Sequence, residues 1–249
     1  LFNDREGFVK ALNGVYIELN TNELYGRNLT AGALDVMGQY YSVASSSHAF
    51  YNYGGLVYTG NDEKALFDNM WQKCYAVIAC CNTIIEKCDE NKAGLSPVWK
   101  GSIKGEALAL RAMLHFDMLR LFGPLTSELD KESIPYQTNS DQTVTPLLSG
   151  SEVIGLILDD LKNAVGLLKD TDPYFVEEEF SDTDLNYRRF RMNYFAAKGL
   201  MARVQLWGGD KEKAAATAKE VIAEGQAEGA EFFPFVTNSE ATSSNPDRV

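Results

Sequence analysis

The chain has 249 residues, 45% of them hydrophobic and 11% aromatic, enough to bury a sizeable core in one large domain or two small ones. Its 23 basic and 35 acidic residues leave a net charge of −12, which argues against the basic surface that a nucleic-acid binder needs. No run of about 18 apolar residues reads as a membrane-spanning helix, and the chain starts at Leu1 with no visible secretory signal, as a mature or trimmed piece would.

Taken in chain order, residues 4–20 set Phe8, Leu12, Val15 and Leu19 on one side of a helix. A long excursion over residues 24–61 follows, ending in the segment GQYYSVASSSHAFYNYGGLVYTGN. Its aromatic alternation is broken by glycines, so it reads as an aromatic-rich loop insertion rather than a strand. Residues 62–90 form a long helix with Asp62 as its expected N-cap. Along it, Trp71, Cys74, Ile78, Cys81, Ile85 and Cys88 recur at alternating steps of three and four, one continuous apolar stripe. Three of the four cysteines therefore read as small core hydrophobes. Cys74, Cys80, Cys81 and Cys88 lack the second ligand cluster that a zinc site takes from another segment, and cysteines along one helix do not face each other for a disulfide.

Ser96-Pro97 is a strong start for the next helix, since Ser caps and Pro takes a position whose N–H would be unpaired anyway. That helix runs to Phe122 and stops at Gly123-Pro124. Gly105, Ala109, Ala112 and Phe116 make one seam on it, and Leu110, Leu114, Met118 and Leu121 a second apolar row. Glu106 and Arg111 are expected to pair with neighbouring helices, and His115 to be a satisfied structural group, since His48 is the only other histidine. Ser149 and Glu152 form a capping box before a helix that fades at Asp170 and ends by Pro173. Residues 190–207 make another helix, closed by Gly208-Gly209, and Asp210 caps the last, which reaches about Glu224. In this last pair Ala196, Gly199 and Ala202 line one face, Leu200, Val204 and Trp207 another, and Ala214, Ala218 and Val221 answer them. Small residues that let two helices approach closely are the mark of a tetratricopeptide-like hairpin. The expected fold is all-α, built of such hairpins as a right-handed superhelical scaffold, with the insertion at 24–61.

Few constellations suggest chemistry. Asp182, Asp184 and Asn186 have the spacing of the first ligands of a calcium loop, but Tyr187 stands where that loop needs glycine and Asn193 where it needs glutamate. The run is instead expected to be an acidic solvated segment neutralised by Arg188, Arg189 and Arg191. The same carboxylates would be the place to look for a glycoside hydrolase, yet nothing fixes their separation and an exposed run is poorly placed to raise a pKa. There is no G-x-S-x-G, P-loop or H-E-x-x-H, and no catalytic residue, metal ligand or cofactor site is assigned. Asn28-Leu29-Thr30 matches a glycosylation acceptor, a short and common pattern.

The helix around residue 110 also carries a resemblance. GEALALRAMLHFDMLRLFGPL, the Trp71, Tyr75, Ile78, Asn82 and Ile85 pattern, the RMNYFAAKGLMARVQLWGGDKEKAAATAKEVI hairpin and Gly14-x-Tyr16 in the first helix together resemble SusD-like (RagB/SusD) proteins, in the family's order. The resemblance implies a non-enzymatic, lipid-anchored outer-membrane protein at the cell surface. It would bind a nutrient oligomer, usually a glycan, and act as a lid over a SusC-like TonB-dependent transporter, its helical repeats serving as scaffold and docking surface. Family members are longer and carry an N-terminal lipidated cysteine that this chain lacks, so residues 1–249 are expected to be the N-terminal helical domain of a larger protein. The alternative is a repeat scaffold that binds a protein partner in a helical groove, although a plain solenoid has no use for so long an excursion.

Within the insertion, flat tyrosine rings among amides and hydroxyls are the mixture that packs on and bonds to a sugar. The family's ligand arc draws on this neighbourhood, and Tyr41, Tyr51, Asn52 and Tyr53 are the candidate ligand contacts. The competing expectation is that these tyrosines clamp the loop onto the helices.

Overall fold

The computed structural model describes residues 1–141, 143–226, 237, 239 and 242, without the side chains of residues 182, 183 and 186. In chain order these form α1 (Arg5–Leu19), α2 (Ala33–Met37), α3 (Tyr51–Gly54), α4 (Asn61–Glu90), α5 (Pro97–Phe122), β1 (Glu132–Pro135), β2 (Leu147–Ser149), α6 (Gly150–Thr171), α7 (Asp182–Tyr187), α8 (Tyr194–Trp207) and α9 (Lys211–Gly225). The all-α expectation holds, with β1 and β2 as a two-stranded antiparallel patch that sequence alternation had not revealed. Three- and four-residue strands are too short to show a period.

The helix ends follow their local chemistry. Asp4, Ser96, Ser149, Asn193 and Asp210 each accept a backbone N–H from three residues on, and the capping box at Ser149 and Glu152 is complete. Two boundaries differ from expectation. Helix α4 begins one residue before Asp62, with Gly60 as its cap; the Glu63 carboxylate lies against Gly60, where a Cβ would collide with it. Helix α8 begins at Tyr194 rather than 190, because Asn193 caps it and Arg191 is extended.

Helix α5 is the axis of the fold. It packs on α4 and α6 and also meets α1, α8 and β1. Both predicted rows on it are buried apart from half-buried Leu121, which is why its sequence is apolar nearly all round. Gly101 and Gly105 bring it close to α6: a Cβ at either would press into Thr171 or Leu168. The cysteine stripe also lies as expected. Cys74, Cys81 and Cys88 are buried in the core, Cys80 is exposed, and all four are free thiols.

The α8–α9 hairpin forms by a route that differs in detail. Ala197, not Ala196, is the buried small residue, and Gly199 faces open space. A polar clasp closes the pair: the buried Lys198 ammonium donates to Glu224 (2.8 and 2.9 Å) and pairs with Glu220 (3.0 Å), while Thr217 donates to Gln205 (2.9 Å). Burial works against the Lys198 charge, but the hydrogen bonds it donates to these carboxylates and to the Tyr194 hydroxyl raise its pKa overall.

Candidate functional site

The excursion at 24–61 is more ordered than a loop. Tyr25 Oη donates to Asp117 of α5 (2.6 Å), and Leu24, Leu29 and Ala33 join the core. Asn28 is buried against Arg27, which is a poor place for a glycan to be attached. The segment YNYG, expected to be irregular, is the single helical turn α3. Gln39, in the left-handed region at φ 62°, ties α2 to α3 by donating its side-chain N–H groups to Val36 O (3.3 Å) and Gly54 O (3.0 Å). Leu56, also left-handed at φ 55°, turns the chain so that Val57 N–H donates to Asn52 O at 2.9 Å. Such backbone strain in non-glycine residues persists where the surroundings hold it, often at binding sites.

Between these turns lies a cleft of about 420 Å³, within the usual range for small-ligand sites. Gln39, Tyr41, Ser42 and Val43 form one wall; Tyr51, Asn52, Gly54, Gly55 and Val57 form the other. Three of the four candidate residues therefore meet at one place. Tyr41 and Tyr51 are 54% and 42% exposed, so their rings can cover a ligand. Asn52 donates to Glu63 Oε1 at 2.8 Å, which fixes its amide.

Tyr53 is placed differently. It is 2% exposed, its ring packs edge-on against Phe50 and Phe67, and its hydroxyl donates weakly to Asp62 O (3.4 Å). Burial, followed by the nearby Glu63 and Asp62 charges, pushes its pKa up to about 12. Tyr53 thus anchors α3 on α4, and the clamping expectation describes it rather than Tyr41 or Tyr51. His48 turns its Nδ1 to the Phe50 amide (3.1 Å) and does not line the cleft.

A second cavity, of about 450 Å³, lies between α1, α5 and the segment 173–191. Its apolar walls include Val9, Leu12 and Ile103, and its floor is a buried ionic network that the sequence only hinted at through Glu106. Arg188 donates to Asp172 through Nε (3.0 Å) and Nη2 (2.6 Å) and to Glu106 through Nη1. Glu106 also accepts from Arg191 Nε (2.7 Å) and from the Tyr16 hydroxyl. Burial alone would raise the Glu106 carboxyl, but the two guanidinium groups and the tyrosine outweigh it and hold its pKa below the ordinary value. Arg188 and Arg191 therefore do not neutralise an acidic loop, as expected from sequence: they reach inward and fasten that segment to α5. Asp184 accepts from Ser181 in a capping box that starts α7, while Asp182 and Asn186 lie outside the described side chains.

The remaining singled-out groups are structural. Arg111 makes a two-pronged pair with Asp160 (2.7 and 2.6 Å) and donates to Asn82 (2.9 Å). His115, fully buried, bonds the Arg111 carbonyl through Nδ1 (3.0 Å), accepts from Gln137 N–H at Nε2 (3.0 Å) and stacks on Tyr136. That arrangement assigns a neutral imidazole with its proton on Nδ1. Burial lowers its pKa to about 3.

An all-α scaffold of packed hairpins, bearing a polar-aromatic cleft on an ordered insertion, is the class of protein these features define. Residues 10–206 match the SusD-like family described as "Starch-binding associating with outer membrane", and the chain belongs to that family. It is 26% identical over 219 residues to SusD-like protein P2 of Formosa agariphila, an alignment covering 85% of this chain and 38% of that protein. Its fold is similar to a SusD-like carbohydrate binding protein from Bacteroides vulgatus, with a TM-score of 0.72 at 22% identity over 96% of this chain and 47% of the other. It is also similar to a laminarin binding SusD-like protein, with a TM-score of 0.66 at 19% identity over 88% and 43% of the two chains. The chain thus spans less than half the length of these relatives.

Proposed function

We propose that the cleft between α2 and α3 binds a segment of a glycan. In this reading the protein captures nutrient at the outer-membrane surface and delivers it to a SusC-like TonB-dependent transporter, without itself cleaving it. The observation that carries the reading is the convergence of two exposed tyrosine rings, Tyr41 and Tyr51, with the fixed amide of Asn52 on one cleft. Aromatic faces take up the apolar C–H surface of a sugar ring while amide and hydroxyl groups bond its hydroxyls. The family's description as starch-binding and the laminarin-binding relative make starch and laminarin the first ligands to try. The helices supply rigidity, so the loop residues are held in place before ligand arrives.

Affinity gels containing starch or laminarin test this directly. Wild-type migration should be retarded, and the combined Tyr41→Ala and Tyr51→Ala variant should migrate freely with unchanged helical circular dichroism. Equal retardation of the two proteins would discard the cleft as the glycan site.

A further inference from the structure

Building on that reading of the cleft, we propose that the site selects uncharged glycans and rejects those bearing carboxylate or sulfate groups. Residues 36–61 contain no Asp, Glu, Lys or Arg, a run of 26 positions in a chain that is 23% charged. At the average composition about six charges would fall there. This is the longest uncharged run in the sequence, and it supplies every described residue that lines the cleft. An anionic sugar entering it would lose hydration and meet no guanidinium or ammonium among the described residues that line it.

Hydrogen-bond polarity points the same way. Both Gln39 side-chain donations are spent inside the protein, on Val36 O and Gly54 O, and Asn52 spends one on Glu63. The amide oxygens of Gln39 and Asn52 are thereby left as acceptors for the cleft. A sugar hydroxyl can donate to such an oxygen, whereas an ionised carboxylate or sulfate can only accept. The charge nearest Asn52 through its hydrogen bonds is the Glu63 carboxylate, which repels an anion further. Arg27, a cation of the same insertion, lies over the Phe50 ring at 5.7 Å and bonds Asn28, and it does not line the cleft. The net charge of −12 adds a long-range repulsion that salt screens.

Matched polymers separate these effects from backbone recognition: starch, laminarin and galactomannan, each alongside its carboxymethylated derivative, compared at physiological ionic strength. At least one neutral polymer should bind, and its charged derivative should bind at least about ten-fold more weakly. Ser42→Lys, which places a cation on the cleft wall, should narrow that gap. Equal or tighter binding of the charged derivative, lost in the Tyr41→Ala and Tyr51→Ala variant, would overturn the selectivity while leaving the cleft as the site. Absence of binding to every polymer would overturn the glycan reading itself, and the selectivity with it.

Discussion

Replacing Glu106 by Gln tests the network that fastens residues 172–193 to the helical frame. The carboxylate is 3% exposed and accepts from Tyr16, Arg188 and Arg191 at once. Gln keeps the volume but removes the charge and turns an NH2 toward guanidinium donors. Removing one partner of a buried ion pair costs about 3–5 kcal/mol in general. Two features place this case at the lower end. Arg188 keeps its two bonds to Asp172, and Arg191, with its side chain 23% exposed, can turn partly to water. A loss of about 3 kcal/mol follows, equivalent to a fall in Tm of roughly 6–12 °C for a domain of this size. The pH dependence is the sharper signature. Because the folded pKa of Glu106 lies below its ordinary value of 4.5, the stability it contributes is complete above that value and is lost as pH falls through the folded pKa. Urea unfolding of both proteins from pH 7 to pH 3.5 should therefore give a constant difference down to about pH 5 and a shrinking one below about pH 4. A loss under about 1 kcal/mol, or a difference that does not shrink in acid, would refute the assignment of a charged, load-sharing carboxylate.

Other outcomes follow from the same geometry. His115 titrates near 6.5 when unfolded and at about 3 when folded, so wild-type stability should fall by up to about 1.4 kcal/mol per pH unit as pH drops through that window; His115→Gln should flatten the slope in urea titrations. Tyr53→Ala should cost about 3–5 kcal/mol because it empties a packed aromatic site, whereas Tyr51→Ala should stay within about 0.5 kcal/mol; thermal melts that rank them the other way would reverse their assigned roles. A thiol reagent should modify one cysteine, Cys80, in the native protein and all four after unfolding, since Cys80 is exposed while Cys74, Cys81 and Cys88 are buried; mass spectrometry of native protein carrying several labels would contradict this.

Sequence by itself determined the long helices and much of their packing. The caps at Ser96 and Ser149, the cysteine stripe and the two apolar rows of α5 are local or periodic features, and the 3.6-residue repeat converts them directly into buried faces. It also brought the insertion at 24–61 to notice, because its aromatic content and length set it apart. Only the tertiary structure decided what each tyrosine there does. Tyr51 and Tyr53 are two positions apart in similar surroundings, yet the single turn of α3 sends one to the cleft and the other under it. The ionic floor of the second cavity was equally out of reach. Arg188 and Glu106 are 82 residues apart, and no short-range pattern shows that a basic cluster after an acidic run folds inward to meet a carboxylate on a distant helix. Periodicity reports which way a helix faces; which partners lie opposite depends on how the chain returns.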